Sequence, residues 1–426
     1  MQLRPSDRPE DHRRRRLLRT VGAAVTTGTV ISTAGCLASL PMLGQQIRYA
    51  DVDVPNSGEP IYREWIPAAS ALDGSNDNWA NVMYATPGEM GESVIGARYS
   101  MTDALLRAQM DYLGVGYENY ERVVGTGPVI IGLGSFTAAT VRETILESGY
   151  ERLGSYEGYD CFERTDLTRG VAVRDGVIIF RRRKNDGGSL DVVDLETAID
   201  AGAGRIERHY EADDRFERLT RAAGSRPELQ VMRSKSLLNG DLVDKFDVRW
   251  SSMGYTFDED RIYHQFVHVC GEEPSLSERR VKAVLEHDNR ALDAYAVDVT
   301  IDDPILQIDM SESHAAARDR SSSDGVTYPQ ITWGVRTVAD GEQIELSHDG
   351  GDAVDANRLT VTYGANFDTE PKPDRQFADE FETVESGASL TLDITDRPQE
   401  VSVTVGYRPR ESSSLTVLFR VDPSFV

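Results

Sequence analysis

The chain has 426 residues, of which 39% are hydrophobic, so it is long enough for two or three domains and too apolar for a disordered chain. Its 71 acidic residues outnumber its 46 lysine and arginine residues, and the formal net charge is −25. A chain with this charge offers no large basic face, so we expect no nucleic-acid partner.

The first 35 residues are predicted to be an export signal. A basic run at Arg13–Arg19 precedes an uncharged, weakly apolar stretch at Val21–Ala34. This stretch is too short to span a bilayer, which takes ~20 apolar residues, and the small residues at its end are typical of a signal peptide. The segment resembles the twin-arginine export motif, and the residues that carry the resemblance are Arg14, Arg15, Leu17 and Leu18.

The end of this segment, Thr33-Ala34-Gly35-Cys36, resembles a lipobox. The resemblance implies that the Cys36 thiol carries a lipid and becomes the new N-terminus, which anchors the protein to the extracytoplasmic face of the cell membrane. An ordinary signal followed by an unrelated cysteine is the alternative. Residues 36–60 contain three prolines and two glycines and are interpreted as a stem.

The acidic excess grows once the signal is removed. Residues 1–35 hold seven arginines and three acidic residues, so 39 basic and 68 acidic residues remain, a charge of −29, and the whole chain has five lysines. This acidic, lysine-poor composition resembles proteins of extreme halophiles, whose charges are screened at molar salt, where the Debye length is ~3 Å. Two stretches in the middle of the chain, 155–160 and 198–204, resemble uncharacterised haloarchaeal lipoproteins; that resemblance implies no activity.

Residues 61–318 mix helix and strand patterns, which predicts an α+β region. Helices are predicted to begin at Ser100, Thr140, Asp194, Asp213 and Ser275. Strands are predicted at residues 129–131, 159–164, 170–174, 177–181, 264–269 and 294–301. The segment Val141–Glu147 aligns with Val281–Glu286, and each lies between two strands, which indicates two related β-α-β units, each ferredoxin-like, at 61–224 and 225–318. A chance match between two amphipathic helices is the alternative.

The pattern changes towards the C-terminus. Residues 311–325 are rich in serine, aspartate and arginine and are interpreted as a linker. Beyond them, apolar and polar residues alternate strictly in six segments, with no helix pattern between them. One buried face per strand predicts a β-sandwich at residues 319–426.

One stretch of this C-terminal region, Glu345–Leu359, resembles the C-terminal β domain of archaeal type IV pilins. The shared feature is a turn with His348, two glycines and Asp352. A pilin also has a long apolar assembly helix after its cleavage site, and this chain has none, so filament formation does not carry over. The His348 and Asp352 side chains are interpreted as hydrogen-bond partners within the turn.

Three polar clusters are candidate sites. His264, His268 and Cys270 share one face of a strand and have the ligand types that zinc prefers, but strand geometry places the two histidines ~13 Å apart. The basic run Arg181–Lys184 could hold a phosphate, and the acidic runs at 258–260 and 302–303 could hold a cation. We interpret all three as ordinary packing or solvated surface, and we expect no metal and no cofactor.

Cys161 and Cys270 are the two cysteines that remain when Cys36 carries lipid. The compartment outside the membrane permits a disulfide between them. Such a disulfide would close a long loop and stabilise the fold by up to ~4–5 kcal/mol. The alternative is a pair of buried thiols.

None of the common catalytic or nucleotide-binding motifs occurs in the sequence, so we expect a protein that is not an enzyme. The leading hypothesis is a membrane-anchored extracytoplasmic lipoprotein with a structural or interaction role and a protein partner at the cell surface. The alternative is the solute-binding lipoprotein of a transporter. That alternative requires a cleft with convergent polar groups between the two middle units.

Overall fold

The structure is a computed structural model, and its described residues are 47–72, 77–91, 101–164, 166–181, 192–234, 238, 240–271, 276–288, 292, 295–320, 328–364, 372–395, 402–410 and 415–421. They belong to one compact unit, Gln46–Val426. The predicted export motif (Arg14, Arg15, Leu17 and Leu18), the lipobox with Cys36, and Arg182–Lys184 lie outside the described residues. No helix of the described part has both the length and the apolar character needed to cross a bilayer.

The largest element of the fold is a 13-stranded sheet. Its strands, in chain order, are β1 Arg48–Tyr49, β2 Val82–Ala85, β3 Arg122–Gly125, β4 Val129–Leu133, β5 Glu151–Tyr156, β6 Tyr159–Arg164, β7 Arg169–Arg174, β8 Val177–Arg181, β9 Glu228–Arg233, β10 Trp250–Phe257, β11 Arg261–Val269, β12 Ala296–Asp302 and β13 Ile305–Ser313. The spatial order is β1-β12-β13-β11-β10-β9-β2-β3-β4-β8-β7-β6-β5. Only the β1–β12 pair in this sheet is parallel.

The described α-helices, in chain order, are α1 Pro87–Gly91, α2 Met101–Gln109, α3 Ala138–Glu147, α4 Val192–Gly202, α5 His209–Ala212, α6 Asp214–Ala223, α7 Gly240–Phe246, α8 Glu278–Asp288, α9 His314–Arg320 and α10 Phe377–Glu380. Helices α4 and α6 share a core with one face of the sheet. Helices α2, α3, α7 and α8 share cores with the opposite face. Because helices cover both faces, many strand residues are buried on both sides of the sheet.

The two predicted middle units contribute to this one sheet. Strand β9, from the second unit, pairs with β2 from the first and with β10 from its own. Part of the predicted stem also joins the sheet, because β1 pairs with β12 and Gly58 forms a bridge with Ser225. The architecture of the middle region is therefore a mixed helix and strand fold around a continuous sheet.

Helix α3 begins earlier than predicted. Its N-cap is Thr137, whose side chain accepts a hydrogen bond from the Thr140 backbone N–H, so Thr140 lies inside the helix. A cap at Thr137 satisfies one of the free N–H groups of the first turn. The helix ends before Gly149, which adopts a positive φ of 80°.

The predicted linker at 311–325 is wrong over its first ten residues. Strand β13 continues to Ser313, paired with β11 as far as Arg261, and α9 follows directly. Ser311 and Glu312 are buried within this pairing. Serine and acidic residues are common in linkers, but here the ladder of backbone hydrogen bonds outweighs the polar composition.

The C-terminal region has the six predicted strands and two further strands of two residues each. Its strands are β14 Ile331–Val338, β15 Gln343–Gly351, β16 Val354–Asp355, β17 Leu359–Tyr363, β18 Thr383–Val384, β19 Ser389–Asp393, β20 Val403–Tyr407 and β21 Thr416–Val421. They form two three-stranded sheets, β14-β15-β19 and β17-β20-β21, and a two-stranded sheet, β16-β18. The expected absence of a helix is wrong, since α10 forms with a capping box between Gln376 and Asp379 and buries Phe377.

Buried ion pairs join the C-terminal region to the large sheet. The Arg169 guanidinium binds both carboxylate oxygens of Asp111, at 2.7 and 2.6 Å, and donates to the Trp333 backbone oxygen at 2.5 Å. Tyr150 donates to Asp111 at 2.6 Å. Arg164 binds Asp166 and also Asp349 of β15. The Arg169–Trp333 and Arg164–Asp349 bonds cross the boundary between the two regions, and the bonds to Asp111 and Asp166 hold these two arginines in place.

The pilin-like stretch lies at this junction. His348 is fully buried, and its Nε2 lies 2.9 Å from the Asp352 backbone oxygen, as the turn interpretation requires. The Asp352 side chain instead bridges to Arg107 of α2 and to the Gln330 backbone N–H. Gly351 has a φ of 107°, and a Cβ there would lie 2.1 Å from the Gln330 oxygen, so only glycine fits.

Candidate functional site

A cleft of about 530 Å³ opens beside the sheet. It is called the aromatic cleft here, and the lining residues used below are Pro67, Ser70, Leu72, Trp79, His209, Asp213, Arg215, Arg233 and Trp250. Arg233 and Trp250 belong to the second predicted middle unit, and the other residues belong to the first. Residues from both predicted middle units therefore line the cleft.

Helix α6 positions one wall of the aromatic cleft. Asp213 is its N-cap, and one carboxylate oxygen accepts the backbone N–H groups of Arg215 at 2.8 Å and Phe216 at 3.1 Å. Phe216 is fully buried against the sheet, and burying a side chain of this size stabilises the fold by roughly 1.5–3 kcal/mol. Gly224, with a φ of 64°, ends the helix. These local signals place Asp213 at the mouth of the cleft.

Trp250 of β10 connects this helix to the sheet. Its indole Nε1–H donates to the second carboxylate oxygen of Asp213 at 3.2 Å. The His209 Nε2 lies 3.9 Å from the same oxygen. The His209 ring meets the Trp250 ring edge to face, with centroids 5.6 Å apart. Both Asp213 oxygens are thus engaged, and these contacts join the start of α6 to β10.

The floor and the rim of the aromatic cleft differ in chemistry. Trp79 and Trp250 are 2% and 3% exposed and line the inner part. At the rim, Ser70 donates to Glu207 at 2.9 Å, and the Arg233 guanidinium lies 6.0 Å from the centre of the Trp250 ring. An apolar floor with charged groups at its edge suits a small molecule that has an apolar body and polar ends.

The proposed zinc cluster does not assemble. His268 is fully buried, and within the described residues neither ring nitrogen has a hydrogen-bond partner. The His264 ring packs between Tyr255 and Tyr295, at 4.8 and 5.2 Å, and its Nε2 lies 3.5 Å from Glu312. No group of three metal-binding side chains occurs in the part of the chain that the structure describes.

The basic and acidic runs have structural roles where they are described. Arg181 is 1% exposed and its Nε donates to Asp194 of α4 at 3.1 Å. Asp258 stabilises the β10–β11 turn by accepting the backbone N–H groups of Asp260 and Arg261. Asp302 and Asp303 are exposed at the turn between β12 and β13.

The candidate disulfide between Cys161 and Cys270 is absent, and both cysteines are free and buried, as in the alternative interpretation. Cys161 lies on β6, and Cys270 directly follows β11. Eight strand spacings separate these two strands in the sheet, whereas a disulfide requires Cα atoms within about 7 Å. The helix alignment that suggested neighbouring strands does not correspond to strand pairing.

Sequence reasoning did not identify the aromatic cleft. It predicted α6 and its Asp213 cap but not strand β10, so Trp250 had no predicted position. The sequence from Trp250 to Phe257 has two adjacent buried serines and a glycine, and it lacks the alternation that marks a half-buried strand. The sequence did contain one signal for the wall of the cleft, a histidine, His209, four residues before the predicted helix cap Asp213.

No protein-family model matches the chain, and no curated protein matches it. Among solved structures, crystal form I of TP0453 is similar with a TM-score of 0.38 and 11% identity, covering 62% of this chain and 96% of that chain. Crystal form III has a TM-score of 0.37 and 10% identity and covers 62% of this chain and 96% of that chain. Crystal form IV has a TM-score of 0.33 and 12% identity and covers 60% of this chain and 96% of that chain. These TM-scores are too low to support any argument about fold or function.

Proposed function

We propose that the protein is a lipoprotein of a halophile, anchored by Cys36 to the extracytoplasmic face of the cell membrane, that binds a small solute in the aromatic cleft. The anchor is supported by the lipobox-like sequence at Thr33–Cys36 and the twin-arginine-like run before it. The solute-binding role is supported by the cleft.

Replacing the anchor cysteine tests the location. A Cys36→Ser chain has no thiol for the lipid, so it should leave the membrane or persist as unprocessed precursor. Detergent phase partitioning and gel migration of the two chains measure this. A variant that partitions into detergent and migrates like the natural chain would refute the anchor.

The main observation in favour of solute binding is the size and lining of the aromatic cleft. Its volume of about 530 Å³ lies within the range of roughly 300–1,000 Å³ that is usual for small-molecule sites. The wall formed by His209, Asp213 and Trp250 is held by its own contacts, so it needs no ligand to be ordered. The rim residues Arg215 and Arg233 are exposed and can meet polar groups of a solute.

Solute screening at molar salt tests this role. Amino acids, sugars and short peptides are added to the full chain, and tryptophan fluorescence and melting temperature are followed, because Trp79 and Trp250 line the cleft. Arg233→Gln and Ser70→Ala should weaken binding of any solute found. Arg336→Gln is the control, since Arg336 is an exposed arginine on β14, away from the cleft. If no solute gives a response, or if the rim variants bind unchanged, the solute-binding role fails.

A second candidate function is an interaction role. Strand β5 is an edge of the 13-stranded sheet, most of its residues are exposed, and Leu153 is 41% exposed. A free strand edge can pair with a strand of a partner protein. Cross-linking from a residue introduced at Leu153, in intact membranes, should capture a protein partner. Cross-linking that gives no product at Leu153 would remove this role.

The two three-stranded C-terminal sheets are proposed to pack face to face as a β-sandwich. The support is one shared core, to which Val335 and Leu346 contribute from one sheet and Val361 and Val405 from the other. Paired inner faces of this kind form sandwich cores. Leu346→Ala and Val361→Ala should show non-additive losses of stability if their sheets share a core, and strictly additive losses would contradict it.

A further inference from the structure

A second cleft, of about 500 Å³, lies where α2 meets the C-terminal region. It is called the arginine cleft, and the residues used below are Arg107, Tyr328, Asp352, Asp355, Arg358 and Arg410. Its three arginines come from three separate elements: α2, the turn before β17, and the chain after β20. None of these residues lines the aromatic cleft.

The three guanidinium groups have donors to spare. Arg107 donates to Asp352 at 2.8 Å and to Glu118 at 3.4 Å, but its Nε is buried and has no acceptor among the described residues. The Arg358 Nε is 3.6 Å from Asp355, beyond hydrogen-bond distance. Arg410 is exposed, and no ion pair of its side chain occurs in the part of the chain that the structure describes.

The carboxylates of the arginine cleft also accept hydrogen bonds from groups other than its arginines. Asp352 Oδ2 accepts both the Arg107 side chain and the Gln330 backbone N–H. Asp355 Oδ1 accepts the backbone and side-chain N–H groups of Asn357, at 3.0 and 3.1 Å. By contrast, the buried Arg164 and Arg169 elsewhere in the chain each bind carboxylates closely. Asp352, Asp355 and Glu118 equal the three arginines in formal charge, but guanidinium N–H groups of Arg358 and Arg410 keep no hydrogen-bond acceptor among the described residues.

We propose that the arginine cleft binds a multiply charged oxyanion, with carboxylate or phosphate groups held by Arg358 and Arg410 beside the Arg107 side chain. The planar guanidinium fork matches both kinds of oxygen group and forms paired, charge-assisted hydrogen bonds with them. Tyr328, which is hydrogen-bonded to Thr416 at 2.9 Å, supplies a fixed wall. A bound anion would join α2 to the C-terminal region.

Isothermal titration of the full chain with inorganic phosphate and with citrate, at one constant concentration of potassium chloride, tests this site. The two probes separate tetrahedral from carboxylate recognition, and chloride, which also binds guanidinium groups, is held constant so that its competition is the same in every titration. Arg358→Gln and Arg410→Gln remove charge without altering the Arg107–Asp352 pair. Each should raise the Kd of the bound anion by about tenfold or more, which corresponds to ~1.4 kcal/mol.

Arg375→Gln is the matched control, because Arg375 is an exposed arginine of the same region that pairs with Glu380. It should leave the Kd unchanged, and equal melting temperatures of the variants should show that they fold. The proposal is overturned if neither anion binds the natural chain, or if Arg358→Gln and Arg410→Gln bind as it does. Binding of one probe alone supports the site and identifies its preferred oxygen group.

Discussion

Burial determines the protonation of His268. Its side chain is fully buried, and the resulting desolvation lowers its pKa from 6.5 to about 4. In the unfolded chain the ring has its ordinary pKa, so between pH 6.5 and 4 the unfolded state binds more protons than the folded state. The contribution of neutral His268 to the free energy of unfolding is complete above pH 6.5. It is lost as the pH falls towards 4, and the total loss is up to about 3 kcal/mol.

The measurement is the free energy of unfolding at several pH values from 7 to 4, in molar salt. A His268→Leu chain removes the titrating group, so its stability should fall less steeply in this window. His287→Gln, which changes an exposed histidine, should keep the slope of the natural chain. Equal slopes for the natural chain and His268→Leu would contradict the prediction.

The two free cysteines should be unreactive in the folded protein. Burial raises the pKa of the Cys161 thiol and raises that of Cys270 to about 12, and the thiolate is the reactive form. In a Cys36→Ser chain, alkylation at neutral pH should label neither cysteine until denaturant is added, and then both without any reductant. Labelling that requires reductant would show a disulfide after all.

The sequence predicts the local role of a single residue, such as helix capping, better than it predicts contacts between residues that are distant in the chain. The start of α6 at Asp213 was predicted from local spacing, and Asp213 is observed as its N-cap. The contact of His209 with Trp250 was not predicted, because the two residues are 41 positions apart and their contact depends on how β10 pairs in the sheet. The arginine cleft was missed for the same reason, since Arg107 and Arg410 meet only through the docking of the C-terminal region.

The elements that dock the C-terminal region rely on buried charge. The side chains of Arg169 and Asp111 are 6% and 9% exposed, so removing one partner leaves the other charge buried and unpaired. Arg169→Ala should therefore cost about 3–5 kcal/mol. Asp111→Asn, which keeps the shape but not the charge, should also destabilise the chain.

Denaturant unfolding followed by tryptophan fluorescence measures this loss, because the Arg169 guanidinium binds the backbone of Trp333. The control is Arg336→Ala, whose side chain is 69% exposed in its pair with Glu345 and whose removal should change stability little. A similar, small effect at both arginines would show that the buried network does not hold the two regions together.

Elements with a clear period were predicted, and so were the apolar runs of β4, β7 and β8, which are buried on both faces, but β2, β9 and β10 were not predicted. Strands β15 and β19, in which buried and less buried residues alternate, and the amphipathic helix α6 follow their patterns closely. Strands β2, β9 and β10 lie in the middle of the large sheet, covered by helices on both sides, so their sequences show no single buried face. The pairing of β2 with β9 across more than a hundred residues is not encoded in any local pattern.

The charge of the whole molecule sets its dependence on salt. With 68 acidic against 39 basic residues after residue 35, repulsion among surface carboxylates opposes the compact state in dilute buffer. Salt weakens both this repulsion and the attractive surface pairs, such as that of Arg205 with Glu157. The acidic excess makes repulsion the larger of the two effects, and the buried Arg169–Asp111 pair is screened least. Stability should therefore rise with potassium chloride towards the molar range.

The melting temperature measured from dilute buffer to molar potassium chloride checks this expectation. A matched variant separates charge screening from the general effect of salt on apolar burial, since both stabilise compact states. Replacing four exposed carboxylates with glutamine lowers the repulsion without touching the core; suitable positions are Glu147, Glu151, Glu259 and Glu385. The variant should melt higher than the natural chain in dilute buffer and gain less from added salt. If the natural chain melts at the same temperature in dilute and molar salt, its acidic surface is not an adaptation to salt.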